Sequence, residues 1–461
     1  MLPDEAAGSP GNRRFALWLK KSWVAILLAI IALGYSGTVT VMHTSGLSPI
    51  DEWVYSDYLD KVPTEVVVKQ GEVIGPEALN RIACDGVVPY GPMGAECGAS
   101  YSDVSGFPYA GRTSADAYTP VYFISTWAVG GVIRLITHQD QLTSWRLTSP
   151  IWLVGTLLIM VALFRRYHID PLVTITLGAA FIVSPFAWWT YTYVSTDAPS
   201  AFFGALLLLQ ASRFVRHENR GWWLVATSAL AVLFKLTNIL AVCLVGLILV
   251  LAWIQEALRA RKDEGGDVHL GDLRRSMSLP LIGAAAVAAS VVAEVVWLGI
   301  RRVIAVAPQA QQGLGMPLNR RALGEQLANF LPGTITSNVV VAGGGGAYAL
   351  PVLGAAVAPL SWLCVAGVIG AFWSAGIRRS HGPIVAATAI ASVGLAPMLA
   401  LVLTVATGAY FPLPARYGAS ILPGILLVTA LTMRRHLAAW IFLVYAVILG
   451  IGMLVLTAAL W

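Results

Sequence analysis

The chain alternates apolar runs of about twenty residues with short clusters of Arg and Lys, and this alternation constrains its fold more than any other feature. A run of that length crosses ~30 Å of hydrocarbon as a helix, because no water is there to satisfy an open backbone. Apolar residues make up 57% of the 461 positions and charged residues only 12%, too greasy a balance for a soluble protein of this size. The net charge of +6 sits between the apolar runs, where it sets orientation rather than nucleic-acid binding. The expected fold class is an all-α polytopic membrane protein, one membrane domain over 1–461.

Orientation follows from the basic clusters. Arg13, Arg14, Lys20 and Lys21 precede an apolar run from Trp23 to Val41. That run is too long for a signal-peptide core of ~7–15 residues and lacks a small-residue cleavage site after it, so it reads as a retained helix with a cytoplasmic N-terminus. The acid-rich region 43–118 is then extracytoplasmic. The apolar segment 119–136 is read as an interfacial helix, since counting it as a crossing would invert every later basic cluster. Region 43–145 therefore reads as a first extracytoplasmic loop with interfacial helices.

Crossings follow at about 146–164, 171–190 and 198–213. The stretch 222–254 is too long for one crossing and basic at both ends, so it is split in two by a turn at Lys235-Leu236-Thr237-Asn238, which puts Lys235 at the external surface. A further helix at 279–300 leads to a second external loop, 301–350, with Gly343–Gly346 as a flexible patch. Segments at about 351–373, 383–407, 418–433 and 437–459 bring the expectation to about eleven crossings of a bacterial plasma membrane. Cys84 and Cys97 share the first external loop and are expected to form a disulfide, whereas Cys243 and Cys364 lie in apolar helices as packing residues.

The polar residues that could carry chemistry gather on the external side. Ser48-Pro49-Ile50-Asp51-Glu52-Trp53 places an acid pair where the first helix leaves the membrane. Pro49 starts a helix whose apolar positions Val54, Tyr55, Tyr58, Leu59 and Val62 share one face. On local rules alone, Asp51 merely caps that helix. As a functional group, a carboxylate near low-dielectric surroundings gains a raised pKa and can take a proton from a hydroxyl. Asp197, before Ala198-Pro199, likewise reads first as a helix cap. Lys235, Arg301, Arg302, Arg320, Arg321 and Arg416 defy the preference for inside; singly each snorkels to headgroups, but together they suit a phosphate. The seven histidines contain no HExxH pairing, and neither GxSxG nor a P-loop is present, which speaks against a zinc hydrolase, a serine hydrolase and direct ATP use.

Several stretches, in order, resemble the GT-C superfamily of membrane glycosyltransferases, which use polyprenyl-phosphate sugars. These are Pro49-Ile50-Asp51-Glu52 at the head of the first loop, Thr119-Pro120-Val121-Tyr122-Phe123, Trp145-Arg146-Leu147-Thr148-Ser149, the helix start at Asp197, the 235–238 turn, and Ala415-Arg416-Tyr417 with Pro423. The chain departs from many members in having Thr119 where they carry a basic residue, and in stopping at Trp461 without their soluble C-terminal domain.

The resemblance implies sugar transfer from a polyprenyl-phosphate donor to the hydroxyl of a glycan, glycolipid or protein acceptor at the extracytoplasmic face. Asp51 would be the catalytic base with Glu52 beside it, and Asp197, Lys235, Arg301, Arg302, Arg416 and Tyr417 would bind substrate. No cofactor is required, although Glu52 or Asp197 could bind a divalent metal; membrane lipid is a partner and nucleic acid is not. Two rival readings are a transporter of lipid-linked glycans, which moves substrate without forming a glycosidic bond, and a non-catalytic assembly protein docking partners on the first loop.

Overall fold

In the computed structural model the chain is described at residues 10–43, 45–88, 90–263, 277–309, 317–337, 351–375, 381–408, 410 and 412–460. It is predominantly helical, with no strand among the described residues. The elements are α1 (Pro10–Met42), α2 (Glu52–Lys61), α3 (Pro76–Cys84), α4 (Pro120–Thr137), α5 (Gln141–Arg146), α6 (Ser149–Arg166), α7 (Pro171–Ile182), α8 (Pro185–Thr192) and α9 (Ala198–Val215). After these come α10 (Gly221–Phe234), α11 (Ile239–Asp263), α12 (Ser278–Val303), α13 (Arg320–Thr336), α14 (Pro351–Ala375), α15 (Gly382–Thr407), α16 (Leu422–Thr432) and α17 (His436–Leu460).

Proline marks many of the helix starts, where its missing donor costs nothing and its fixed φ suits the first turn. Between α7 and α8 the same residue type breaks a crossing. Pro185 cannot donate back into α7, Ser184 accepts from the amide of Ala187 instead, and the two pieces meet at 63°. Lipid-facing surfaces are apolar, as on α12, where Val291, Val292, Val295 and Val296 are exposed. Gly246 and Gly283 let α11 and α12 approach closely, since a Cβ on Gly283 would lie 3.3 Å from the Gly246 Cα.

Nine described helices are long and apolar enough to cross a membrane, or up to ten with α7 and α8 taken as one bent crossing. This differs from the eleven crossings expected from the sequence. Helix α4, expected to be interfacial, passes the test of length and hydropathy, whereas α10 and α16 are too short at 14 and 11 residues. The break expected at Lys235 is present: α10 stops at Phe234, a 3-10 turn holds Leu236–Asn238, and α11 runs back from Ile239 with α12 packed against both.

The first polar loop folds into a compact cap. Cys84 and Cys97 are disulfide-bonded, Arg81 pairs with Asp60, and Lys61 binds both Asp57 and Glu72. Helix α2 is buried from Glu52 to Leu59, so it is covered on all sides rather than on the single face its periodicity suggests. Residues after α12 close over this cap, the amide of Val306 donating to the carbonyl of Gln70. The Gly343–Gly346 patch lies outside the described residues.

Candidate active site

The two adjacent acids at the head of α2 have opposite surroundings. Glu52 is fully buried and both its oxygens are occupied. Arg146 of α5 donates to Oε1 through Nε and to Oε2 through Nη2, each at 2.9 Å. The amides of Ser48 and Val194 donate to the same carboxylate at 2.8 and 2.9 Å. Arg146 also donates to the carbonyl of Gly46 and lies over the Tyr193 ring. This clasp ties together the exit of α1, the start of α2, α5 and the strand of chain between α8 and α9. A buried carboxylate with four donors has no capacity left for a reacting proton.

Asp51 is different. Its backbone is left-handed, φ 59° and ψ 9°, a conformation Asp and Asn tolerate better than other side-chain-bearing residues. Although it occupies the cap position of α2, its side chain makes no capping bond, contrary to the simple capping role the sequence suggests. The carboxylate instead reaches toward Arg416 Nη2 at 3.8 Å and remains 30% exposed. Desolvation in this recess pushes the Asp51 carboxyl above its ordinary range, against the pull of Arg416 and Lys235.

Asp197 also fails to cap its helix. Its Oδ1 binds Lys235 Nζ at 2.6 Å and its Oδ2 lies 3.4 Å from Arg416 Nε. Acid and base therefore alternate through Asp51, Arg416, Asp197 and Lys235. The inner pair is almost sealed, Asp197 being 2% and Lys235 3% exposed. The Arg416 Nε is buried without a hydrogen-bond partner among the described residues, leaving an unspent donor in the cluster.

Local sequence explains how these groups converge. Lys235 projects from the α10–α11 break, braced by Asn238, whose amide donates to the carbonyl of Ala231. Arg416 sits on a 3-10 turn, Ala415–Ser420, wedged between α9 and α13. Two glycines make that wedge possible. A Cβ on Gly204 would lie 1.9 Å from the Ser420 carbonyl oxygen, and one on Gly418 would lie 2.6 Å from Thr334 Oγ1. Tyr417 completes the wall, its ring 4.9 Å from Lys235 Nζ and 5.3 Å from Arg416 Cζ.

The other expected substrate-binding cations lie apart from this chain of charges. Arg301 is bound to Asp116 through Nε and Nη2, fastening the end of α12 to the first loop, and Arg302 is exposed. Arg146, Tyr55 and Tyr118 escaped the sequence reading as site residues. The Tyr55 hydroxyl accepts from Thr196 and donates to Tyr118, each at 3.1 Å, building a hydroxyl wall beside Asp51. Its only sequence signal is its place one helical turn after Asp51, and there it counts equally as apolar packing.

Among the described residues no three His, Cys, Asp or Glu side chains gather as a metal-holding group, and the two acids considered for a metal are both taken up by cations. No protein-family model matches the chain, and no curated protein is significantly similar to it.

Proposed function

We propose that the protein transfers a sugar from a polyprenyl-phosphate donor to an acceptor hydroxyl at the face of the membrane that carries the 43–145 loop, which the basic clusters make extracytoplasmic. The observation that carries this reading is the pairing of an accessible, non-capping carboxylate, Asp51, with a buried cation, Lys235, and a partly buried one, Arg416, whose Nε keeps an unspent donor. A base beside a pair of cations is what displacement at a glycosyl phosphate requires.

Asp51 takes the proton of the acceptor hydroxyl as that oxygen bonds to the anomeric carbon. The bond from that carbon to the phosphate oxygen breaks with its electron pair, and the departing phosphate charge is met by Arg416 and Lys235. Attack and departure on opposite faces invert the configuration. Glu52 takes no part in proton transfer; with Arg146 it is a positioning residue that fixes the start of α2 and so the direction of Asp51.

Two further features suit a lipid-linked substrate. An apolar groove of about 480 Å³ between α13 and α14 is lined by Leu327, Leu331, Val357, Trp362 and Val365. It lies on the face of α13 next to the one, at Phe330 and Thr334, that holds the Arg416 turn. Helix α4 packs chiefly against α5 and α2, and its midpoint Gly130 rests on Trp145, beside the Glu52 clasp. On this reading α4 borders the substrate's path from the lipid.

The test is transfer of label from a radiolabelled polyprenyl-phosphate sugar in membranes carrying the protein or its Asp51→Asn variant. Movement of lipid-linked substrate across vesicles without a new glycosidic bond would favour a transporter instead.

A further inference from the structure

At the end of the bundle opposite the charged cluster, the α6–α7 turn, the last turn of α14, the start of α15 and the end of α16 enclose an open cavity of about 350 Å³. That volume lies within the ~300–1,000 Å³ of ordinary ligand sites. Its lining includes His168, His381 and Arg434 together with Tyr167 and Ser374. None of these residues takes part in the proposed sugar transfer.

The charge in the cavity is unbalanced. Desolvation, reinforced by the positive charge of Arg216 and by His168, holds His381 below the usual histidine range, as expected where cations face one another. Of the nearby acids, Glu218 is engaged by both terminal nitrogens of Arg166 at 2.8 Å. Asp170 also lines the cavity, on the α6–α7 turn, with Oδ1 accepting from the amide of Leu172. Among the described lining residues it is the one carboxylate against Arg434 and the two histidines, so an anion between His381 and Arg434 would meet donors on the side away from Asp170.

The helix surfaces next to the lining residues expose large apolar side chains. Phe372 and Trp373 on the last turns of α14 are 55% and 89% exposed, and Leu437 and Trp440 at the start of α17, just beyond Arg434, are 71% and 55% exposed. Aromatic and aliphatic groups beside a cationic recess at a helix end are the surroundings of a lipid headgroup, with acyl chains along the rim and phosphate inside.

We propose that this cavity binds the phosphate of an anionic phospholipid from the leaflet on the Arg-rich face, independently of the sugar-transfer site. Phosphate is the recognised group, its negative charge taken by Arg434, with a ring N–H of His381 as a neutral donor and its ester oxygens within reach of Ser374 and Tyr167.

Native mass spectrometry of the full-length protein in detergent tests it, with phosphatidylglycerol and phosphatidylcholine as probes. Phosphatidylglycerol should be retained preferentially, and the double variant His381→Gln/Arg434→Gln should lose that preference roughly fivefold or more. Arg220→Gln, which removes a charge from the same face outside the cavity, should leave it unchanged. If the double variant does not fold, Ser374→Glu, which sets a carboxylate in the cavity, should abolish the preference in its place. Equal retention of the two lipids, or preference that survives the cavity variants, overturns the proposal. Displacement of the lipid by inorganic phosphate, with phosphate itself retained, overturns the lipid source and assigns the cavity to a soluble phosphate.

Discussion

Replacing Asp51 by Asn and Glu52 by Gln separates two neighbouring acids by opposite phenotypes. Asn suits the left-handed backbone at position 51 as well as Asp does, so the turn should persist. The side chain caps nothing and its one ion-pair contact is a 3.8 Å approach at a partly exposed position, so the loss of stability should stay within ~1 kcal/mol. Transfer should nevertheless fall by about 10²–10⁴-fold, the usual contribution of a positioned base. At position 52 the amide nitrogen of Gln would face backbone and guanidinium donors, and Arg146 would lose its counter-charge while remaining buried. That should cost roughly 3–5 kcal/mol, a large part of the ~5–15 kcal/mol available to a typical fold. Radiolabel transfer and tryptophan-fluorescence melting on the same detergent-purified samples report both quantities. An Asp51→Asn protein that transfers sugar at the unmodified rate removes Asp51 from the chemistry. One that melts as early as Glu52→Gln shows instead that its carboxylate is structural.

Asp197→Asn should destabilise the protein by about 3–5 kcal/mol by stranding Lys235, and Asp197→Asn/Lys235→Met should recover most of it; denaturant titration of the four-protein cycle gives the coupling. Lys235→Met should weaken donor binding roughly tenfold or more, read as a rise in donor KM. Because the Asp51 carboxyl is raised and the base works deprotonated, transfer should fall as pH drops through that raised value, so the acid limb of kcat/KM should lie above the ~3.9 of an ordinary Asp and vanish in Asp51→Asn. Removing the Cys84–Cys97 bond by Cys84→Ser/Cys97→Ser should cost about 3 kcal/mol, seen as faster proteolysis within the first loop, since it closes a separation of 13 residues.

Membrane class, the broken pair at Lys235, the disulfide and a helix after Pro49 are legible in the sequence because each depends on local pattern: apolar length, basic clusters, two cysteines in one loop and a proline. What escapes is partnership. Nothing near Glu52 announces that Arg146 will take it, nor near Arg301 that Asp116 will. Capping is the local rule for an acid before a helix, and at Asp51 and Asp197 it gives way to distant cations, because a buried Lys235 needs a counter-charge more than a helix end needs an extra acceptor. The α4 reading has the same origin: an eighteen-residue, mostly apolar helix meets the length of a crossing, and its packing on α5 and α2 is not written in its own sequence.

The chain of alternating charges also bears on how the protein is made. Synthesis delivers the first loop early, and the Glu52 clasp can close once α5 and the chain at Val194 have followed, at separations of 94 and 142 residues. Asp197 and Lys235, 38 residues apart, can pair while the second half of the protein is still on the ribosome. Arg416 arrives only with the turn before α16. A nascent chain halted before that point would hold both acids but lack the cation between them, so the cluster closes only once the chain through Arg416 has been made.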